Sequence, residues 1–199
     1  MDDQNITYAW GSLWTKPRKT IRHMINTDPH KNVFWLAVCY GILSGLYWIE
    51  TLSQARENMH IALVYSLCII VGAAYGVGMF YLISWIYTFC GKWLGGTGKY
   101  NEVKCAVGWS YYPFIIAGLI ALVSYYISPI PWIQAIFALA STVVFIWGMV
   151  ILFKVIAEAH NFGAWKGVGS VVIALIIVFG VMTILSWLSA IIYNTYSIQ

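Results

Sequence analysis

Tyr100–Ser128 reads YNEVKCAVGWSYYPFIIAGLIALVSYYIS: a polar, charged start that turns apolar, with Pro113 at the change. The apolar run from Phe114 to Ile127 alone would make a helix of about 21 Å, too short for a hydrocarbon core of about 30 Å. Extended back to Ala106 it reaches about 22 residues, which is long enough to cross. Pro113 therefore falls inside a membrane helix. Its ring and missing N–H deprive the Trp109 carbonyl of its usual partner, which predicts a kink. Ser110, Tyr111 and Tyr112 flank the freed backbone and are candidates to satisfy it.

The rest of the chain fits that reading. Of its 199 residues, 61% are hydrophobic and 9% charged, with a mean hydropathy of +0.75. Soluble domains carry about 25% charged residues, so this is a membrane domain and not a soluble core with an anchor. No signal peptide is expected, because Asp2 and Asp3 open the chain and no apolar run precedes Val33. Residues 1–32 form a cytoplasmic lead-in and 33–199 the membrane domain. Five spans are predicted: Val33–Leu52, Ile61–Cys90, Ala106–Ser128, Ile133–Ala157 and Val168–Ile192. The second exceeds the core thickness and must tilt or project into the cytoplasm. Residues 128–132, Ser-Pro-Ile-Pro-Trp, allow only a tight antiparallel hairpin between the third and fourth spans. The fold class is thus an all-α integral membrane bundle of five transmembrane helices, with a kinked third helix and a short interfacial amphipathic helix before it.

Charge sets the orientation. With five spans, one side holds Lys16, Arg18, Lys19, Arg22, Lys31, Lys92, Lys99, Lys104, Lys154 and Lys166, and the other only Arg56. The positive-inside rule then places the N-terminus in the cytoplasm and the C-terminus outside. Trp35, Trp85, Trp93 and Trp165 fall near the inner interface. Tyr47, Trp48, Tyr126, Trp132, Trp187 and Tyr193 fall near the outer one.

Within the lead-in, TKPRKTIRHMI reads as a short helix with Pro17 near its first position. Ile21, Met24 and Ile25 share one face while Arg18, Lys19 and Arg22 cluster opposite, a pattern suited to anionic lipid headgroups. The alternative is an ordinary basic flank that only fixes topology. In the spans, Gly41-x-x-x-Gly45 and Gly72-x-x-x-Gly76 allow backbones to approach, most simply between the first and second spans.

No enzymatic constellation appears: there is no HExxH, GxSxG or paired-carboxylate arrangement. Cys39, Cys68, Cys90 and Cys105 lack CxxC spacing and read as packing residues, with no metal or cofactor implied. Gly95-Gly-Thr-Gly98-Lys99-Tyr100 fails the phosphate-loop pattern at Trp93 and Tyr100, and is expected to be a flexible turn. No nucleic-acid surface is expected. The cluster that stands out is Lys154-Val-Ile-Ala-Glu158-Ala-His160-Asn161. Glu158 ends a helix, where the macrodipole disfavours a carboxylate, so partners are expected. Lys154, one turn earlier, Lys104 and His160 are the candidates, with Glu102 in the facing loop. The alternative is a snorkelling Lys154 beside a solvated Glu158.

PRKTIRHMI, YNEVKCAVGWSYYP and EAHNFGAWKG together resemble the Yip (Ypt/Rab-interacting-protein) domain, from about Trp14 to the end. Gly108-Trp109-Ser-Tyr-Tyr-Pro113 is similar to that family's G-Y-x-x-x-P motif, with Trp109 in place of tyrosine. Residues 12–17, Ser-Leu-Trp-Thr-Lys-Pro, lack the Asp and Gly of the eukaryotic N-terminal motif, and the short lead-in resembles prokaryotic members. The resemblance implies a non-enzymatic, membrane-organising or trafficking-like role at the cytoplasmic face, with other membrane proteins or a small GTPase as partners and a prokaryotic cytoplasmic membrane as location. The alternative is a small transporter or channel that uses the kinked helix and Glu158 as a polar path.

Overall fold

The computed structural model describes residues 3–51, 60–127 and 130–196. The end of the first expected span at Leu52, Arg56, Ser128 and Pro129 at the start of the 128–132 turn, and the C-terminal Gln199 lie outside them. Seven helices are found among the described residues: α1 Asp3–Thr15, α2 Pro17–Thr27, α3 Val33–Thr51, α4 Ile61–Trp93, α5 Tyr100–Ile127, α6 Pro131–Ala159 and α7 Ala164–Tyr196. Four of these, α4 to α7, are long and apolar enough to cross a membrane, while α3 is apolar over the shorter stretch Val33–Ile49.

Sequence punctuation explains the boundaries. Pro17 and Pro131 open α2 and α6 at positions where a missing N–H costs nothing. Glu102 lies three residues into α5 and accepts from the Lys99 backbone N–H at 2.9 Å, half of a capping box. The ends of α4 and α6 share one device. The Gly96 N–H reaches the Gly91 carbonyl and the Phe162 N–H reaches that of Ala157, with Gly95 (φ +82°) and Asn161 (φ +57°) left-handed between. Both are Schellman closures, which require a residue that tolerates positive φ.

Small residues fix how the helices meet. A Cβ at Gly41 would strike the Gly72 carbonyl and the Gly76 Cα, and one at Gly45 would strike the Cys68 carbonyl. These glycines therefore bring α3 and α4 together backbone to backbone. Gly108 makes room for Val33 at the start of α3, and Gly148 on α6 for Phe114 and Pro113 on α5. α5 is one helix from Tyr100 to Ile127 with Pro113 inside it, so the polar YNEVK segment is helical too. The Ser110 hydroxyl donates to the Val107 carbonyl at 2.7 Å, not to that of Trp109.

α3 begins beside Gly108, so α5 runs about 12 Å beyond it towards Tyr100. The contact of Gly76 with Ala37 and Gly41 likewise leaves a long stretch of α4 beyond the start of α3. Helices α4 to α7 thus form a collar past the end of α3, and α1 and α2 pack against it. The lead-in is a correction to the sequence reading: besides α2 it contains α1, and both bury side chains in protein. Ala9, Leu13, Ile21 and Met24 join the same core as Trp109, Val155 and Ile156. An apolar stripe beside an unfilled protein groove is buried there, because the collar offers what the headgroup region would have offered.

Candidate functional site

The collar end gathers the lead-in, the α4–α5 turn and the α6–α7 turn, and Arg22 ties the first of these to the last. Its Nε donates to Glu158 Oε1 at 2.8 Å. Its Nη2 donates to the Glu158 carbonyl at 2.6 Å and to Asn161 Oδ1. The guanidinium fork thus neutralises the carboxylate and satisfies a carbonyl at the negative end of α6. One turn earlier, Arg18 Nη2 donates to the Phe162 carbonyl at 3.3 Å. The α6–α7 turn then holds the α4–α5 turn. Asn161 Nδ2 donates to Thr97 Oγ1 at 3.0 Å, the Thr97 N–H to the His160 carbonyl at 3.1 Å, and Lys166 Nζ to the Leu94 carbonyl at 3.1 Å.

His160 is the pin of this assembly. It is 1% exposed and stacks on Phe162 at 5.3 Å. Its Nε2 lies 3.2 Å from the Tyr87 carbonyl; a carbonyl only accepts, so the proton is on Nε2. Nδ1 is buried without a partner among the described residues. A Cβ at Gly91, Gly96 or Gly98 would collide with the ring. The glycines of the GGTG segment, expected to give a flexible turn, instead form a close-fitting cradle. Burial pushes the imidazole below its usual 6.5, helped by Lys92 and opposed by the Tyr87 hydrogen bond and Glu102.

The expected polar cluster is thereby redrawn. Glu158 has a basic partner, but it is Arg22 from α2. Lys104 Nζ lies over the Tyr81 and Tyr100 rings at 5.8 and 5.6 Å, and Lys154 Nζ over the Trp147 ring at 5.7 Å. Glu102 is occupied in capping α5. Lys104 and Lys154 are long enough to reach aromatic faces near their own helices, whereas α2 lies directly across the α6 end. The lipid-facing helix changes for the same reason: Pro17 is buried and Arg18 and Arg22 serve protein acceptors, while Lys16 and Lys19 remain exposed.

The GWSYYP stretch is the seat of α1. Trp10 packs on Trp109 at 4.9 Å and on Tyr112 at 4.5 Å, Trp14 on Tyr112 at 5.9 Å. Trp147 Nε1 donates to the Trp14 carbonyl at 3.1 Å. Sequence reasoning included Asn161 in the cluster but gave it no role, although an asparagine just past an apolar helix was the signal for one. It also missed Trp10 and the histidine cradle, which no local spacing announces.

The architecture defines the chain as an all-helical, multi-pass membrane bundle with a structured polar face at one end. The Yip1 domain family model matches residues 10–186, and the chain belongs to that family. No curated protein and no solved structure gives a significant match.

Proposed function

We propose that the protein is a membrane-organising scaffold that works by interaction through its collar face, in keeping with the trafficking-like role its family suggests. One observation carries this reading: Arg22 fastens α2 to the α6–α7 turn, and Asn161 and His160 of that turn hold Thr97 of the α4–α5 turn, so three chain-distant segments share one face. Around that latch Lys16, Lys19, Lys92, Lys99 and Lys166 stay exposed. A fixed array of cations suits anionic partners: lipid headgroups, an acidic face of another membrane protein, or a small GTPase. Glu158 is engaged by Arg22 and lines neither of the two central cavities, so the polar-path alternative gains no support from it.

The reading includes five spans. α3, at about 28 Å, matches a bilayer core, while the other helices are longer because they also build the collar. The collar is cytoplasmic by the distribution of basic residues, and the C-terminus is outside. A bend at Pro113 that aims the collar part of α5 belongs to the same proposal.

A photo-crosslinking residue placed at Lys19, Lys92 or Lys166 in native membranes tests this, with adducts identified by mass spectrometry. Discrete adducts that disappear in Arg22→Ala are expected, whereas a control at Leu139 gives none of them. No adduct from the collar, or the same adducts from Leu139, would refute the scaffold reading. Cysteine accessibility checks topology: labels at residue 5 and at Gly163 react from the cytoplasm and one at Gln199 from outside. Reaction of both termini from one side would overturn five spans.

A further inference from the structure

Between α3, α4, α5, α6 and α7, on the membrane side of the collar, lies a cavity of about 380 Å³. Tyr40, Tyr75, Tyr87 and Tyr111 line it from three helices, with Tyr40 and Tyr111 stacked at 4.6 Å. A second cavity of about 370 Å³ shares Tyr40, Ser44, Phe114 and Phe145 with the first and continues past Leu43, Ala117 and Ala121. Because they adjoin at these residues, we read the two as one bent channel. Among the described residues, no Asp, Glu, Lys, Arg or His lines either part.

Three features define what fits. First, Tyr75, Tyr87 and Tyr111 line the cavity with phenol hydroxyls that have no hydrogen-bond partner among the described residues and are not enclosed by protein. A hydroxyl that opens onto a cavity among apolar spans favours an occupant that carries an acceptor. Secondly, the continuation beyond Ser44 is walled by Leu43, Ala117 and Ala121, a trough for a chain. Thirdly, the rim residues Tyr75, Phe145 and Leu175 are 44%, 52% and 49% exposed, so the opening is on the flank of the bundle. A flank opening at this depth admits molecules from the bilayer.

We infer that this channel binds an uncharged lipid, with a neutral carbonyl or hydroxyl head at the tyrosine cluster and its apolar chain in the Leu43–Ala121 trough. The head then lies nearer the collar and the chain points away from it, the direction of a lipid in the leaflet on the collar side. A charged headgroup is excluded because the cavity holds no counter-ion and lies in a low-dielectric region. This site is separate from the collar face and independent of its role.

The test uses the full chain in phosphatidylethanolamine–phosphatidylglycerol vesicles containing a diacylglycerol with a diazirine on its acyl chain. Photolabel is expected on peptides covering residues 40–48 and 107–121, and excess unlabelled diacylglycerol should remove it. A phosphatidylglycerol probe with the same chain should not label those peptides. Tyr87→Phe with Tyr111→Phe keeps both rings and removes two donors, and should cut labelling about tenfold. Ala121→Leu fills the trough and should cut it comparably, which keeps the test open if the tyrosine variant folds poorly. Label spread over α4 and α7 without competition, equal labelling by the charged probe, or unchanged labelling in the Ala121 variant would each overturn the proposal.

Discussion

The two halves of this bundle share the long helices α4 to α7 and yet are packed differently. At the collar, Trp109, Val103, Val107, Ile151, Val155, Ile156 and His160 are each no more than 1% exposed. Towards the other end, Leu139 is 68%, Phe179 75%, Met182 62% and Trp187 72% exposed. The difference teaches where each half meets its solvent. Apolar surface projecting beyond a bilayer must be buried against protein, and here α1 and α2 supply part of the cover. Apolar surface within lipid gains nothing from burial, since acyl chains are as apolar as leucine, and close packing is needed only where backbones meet.

The sharpest way to break the comparison is at the seam that joins the two halves. Gly41→Val would drive a side chain into the α4 backbone, which has no free end to swing away. A loss of about 3 kcal/mol or more is expected. The yield of monodisperse protein in detergent would report it. Next comes the cradle. Gly98→Val meets the Ala159 carbonyl and the His160 ring, and should cost about 1–3 kcal/mol in equilibrium unfolding.

Arg22→Ala should destabilise by about 1–2 kcal/mol, because it leaves Glu158 and two further acceptors unmatched in a partly screened site. Arg22→Lys should recover less than half of that, since an ammonium cannot reproduce the fork. A smaller effect follows from His160. Its folded imidazole titrates below the usual 6.5, so the unfolded chain takes up the proton first. Stability is therefore complete above about pH 6.5 and falls as the pH drops below it, and His160→Gln should flatten that slope in thermal melts at about pH 5 to 8. Smallest of all, Leu139→Ala or Phe179→Ala should change stability by no more than about 0.5 kcal/mol in a lipid-like environment. A large effect there would show protein contacts where lipid is expected, and the contrast between the halves would fail.

Particular residues show how far the sequence could be read. Helix positions were legible because long apolar runs admit only helices in a bilayer, and Pro17, Pro131 and Gly95 punctuate them locally. Glu158 was legible as a carboxylate in need of a partner, because its place at a helix end is a local fact. Its partner was not legible: 136 residues separate Arg22 from Glu158. The basic face of α2 read as a lipid surface because amphipathicity records that a stripe is buried, not what buries it. Gly96 and Gly98 suffered the same limit, since a glycine marks close approach without naming the group that approaches.

By itself, then, the sequence determined the class: an apolar chain whose backbone must satisfy its own hydrogen bonds folds into helices, with basic residues gathered towards one side. Its GWSYYP and EAHNFGAWKG segments determined the family. Only the tertiary structure decided that α1 and α2 close over a collar, that Arg22 joins α2 to the α6–α7 turn, that His160 fills a glycine cradle, and that tyrosines from three helices meet in one cavity. Each of these depends on groups far apart in the chain arriving within a few ångströms. Local pattern carries no record of that distance, because it is set by how whole helices pack.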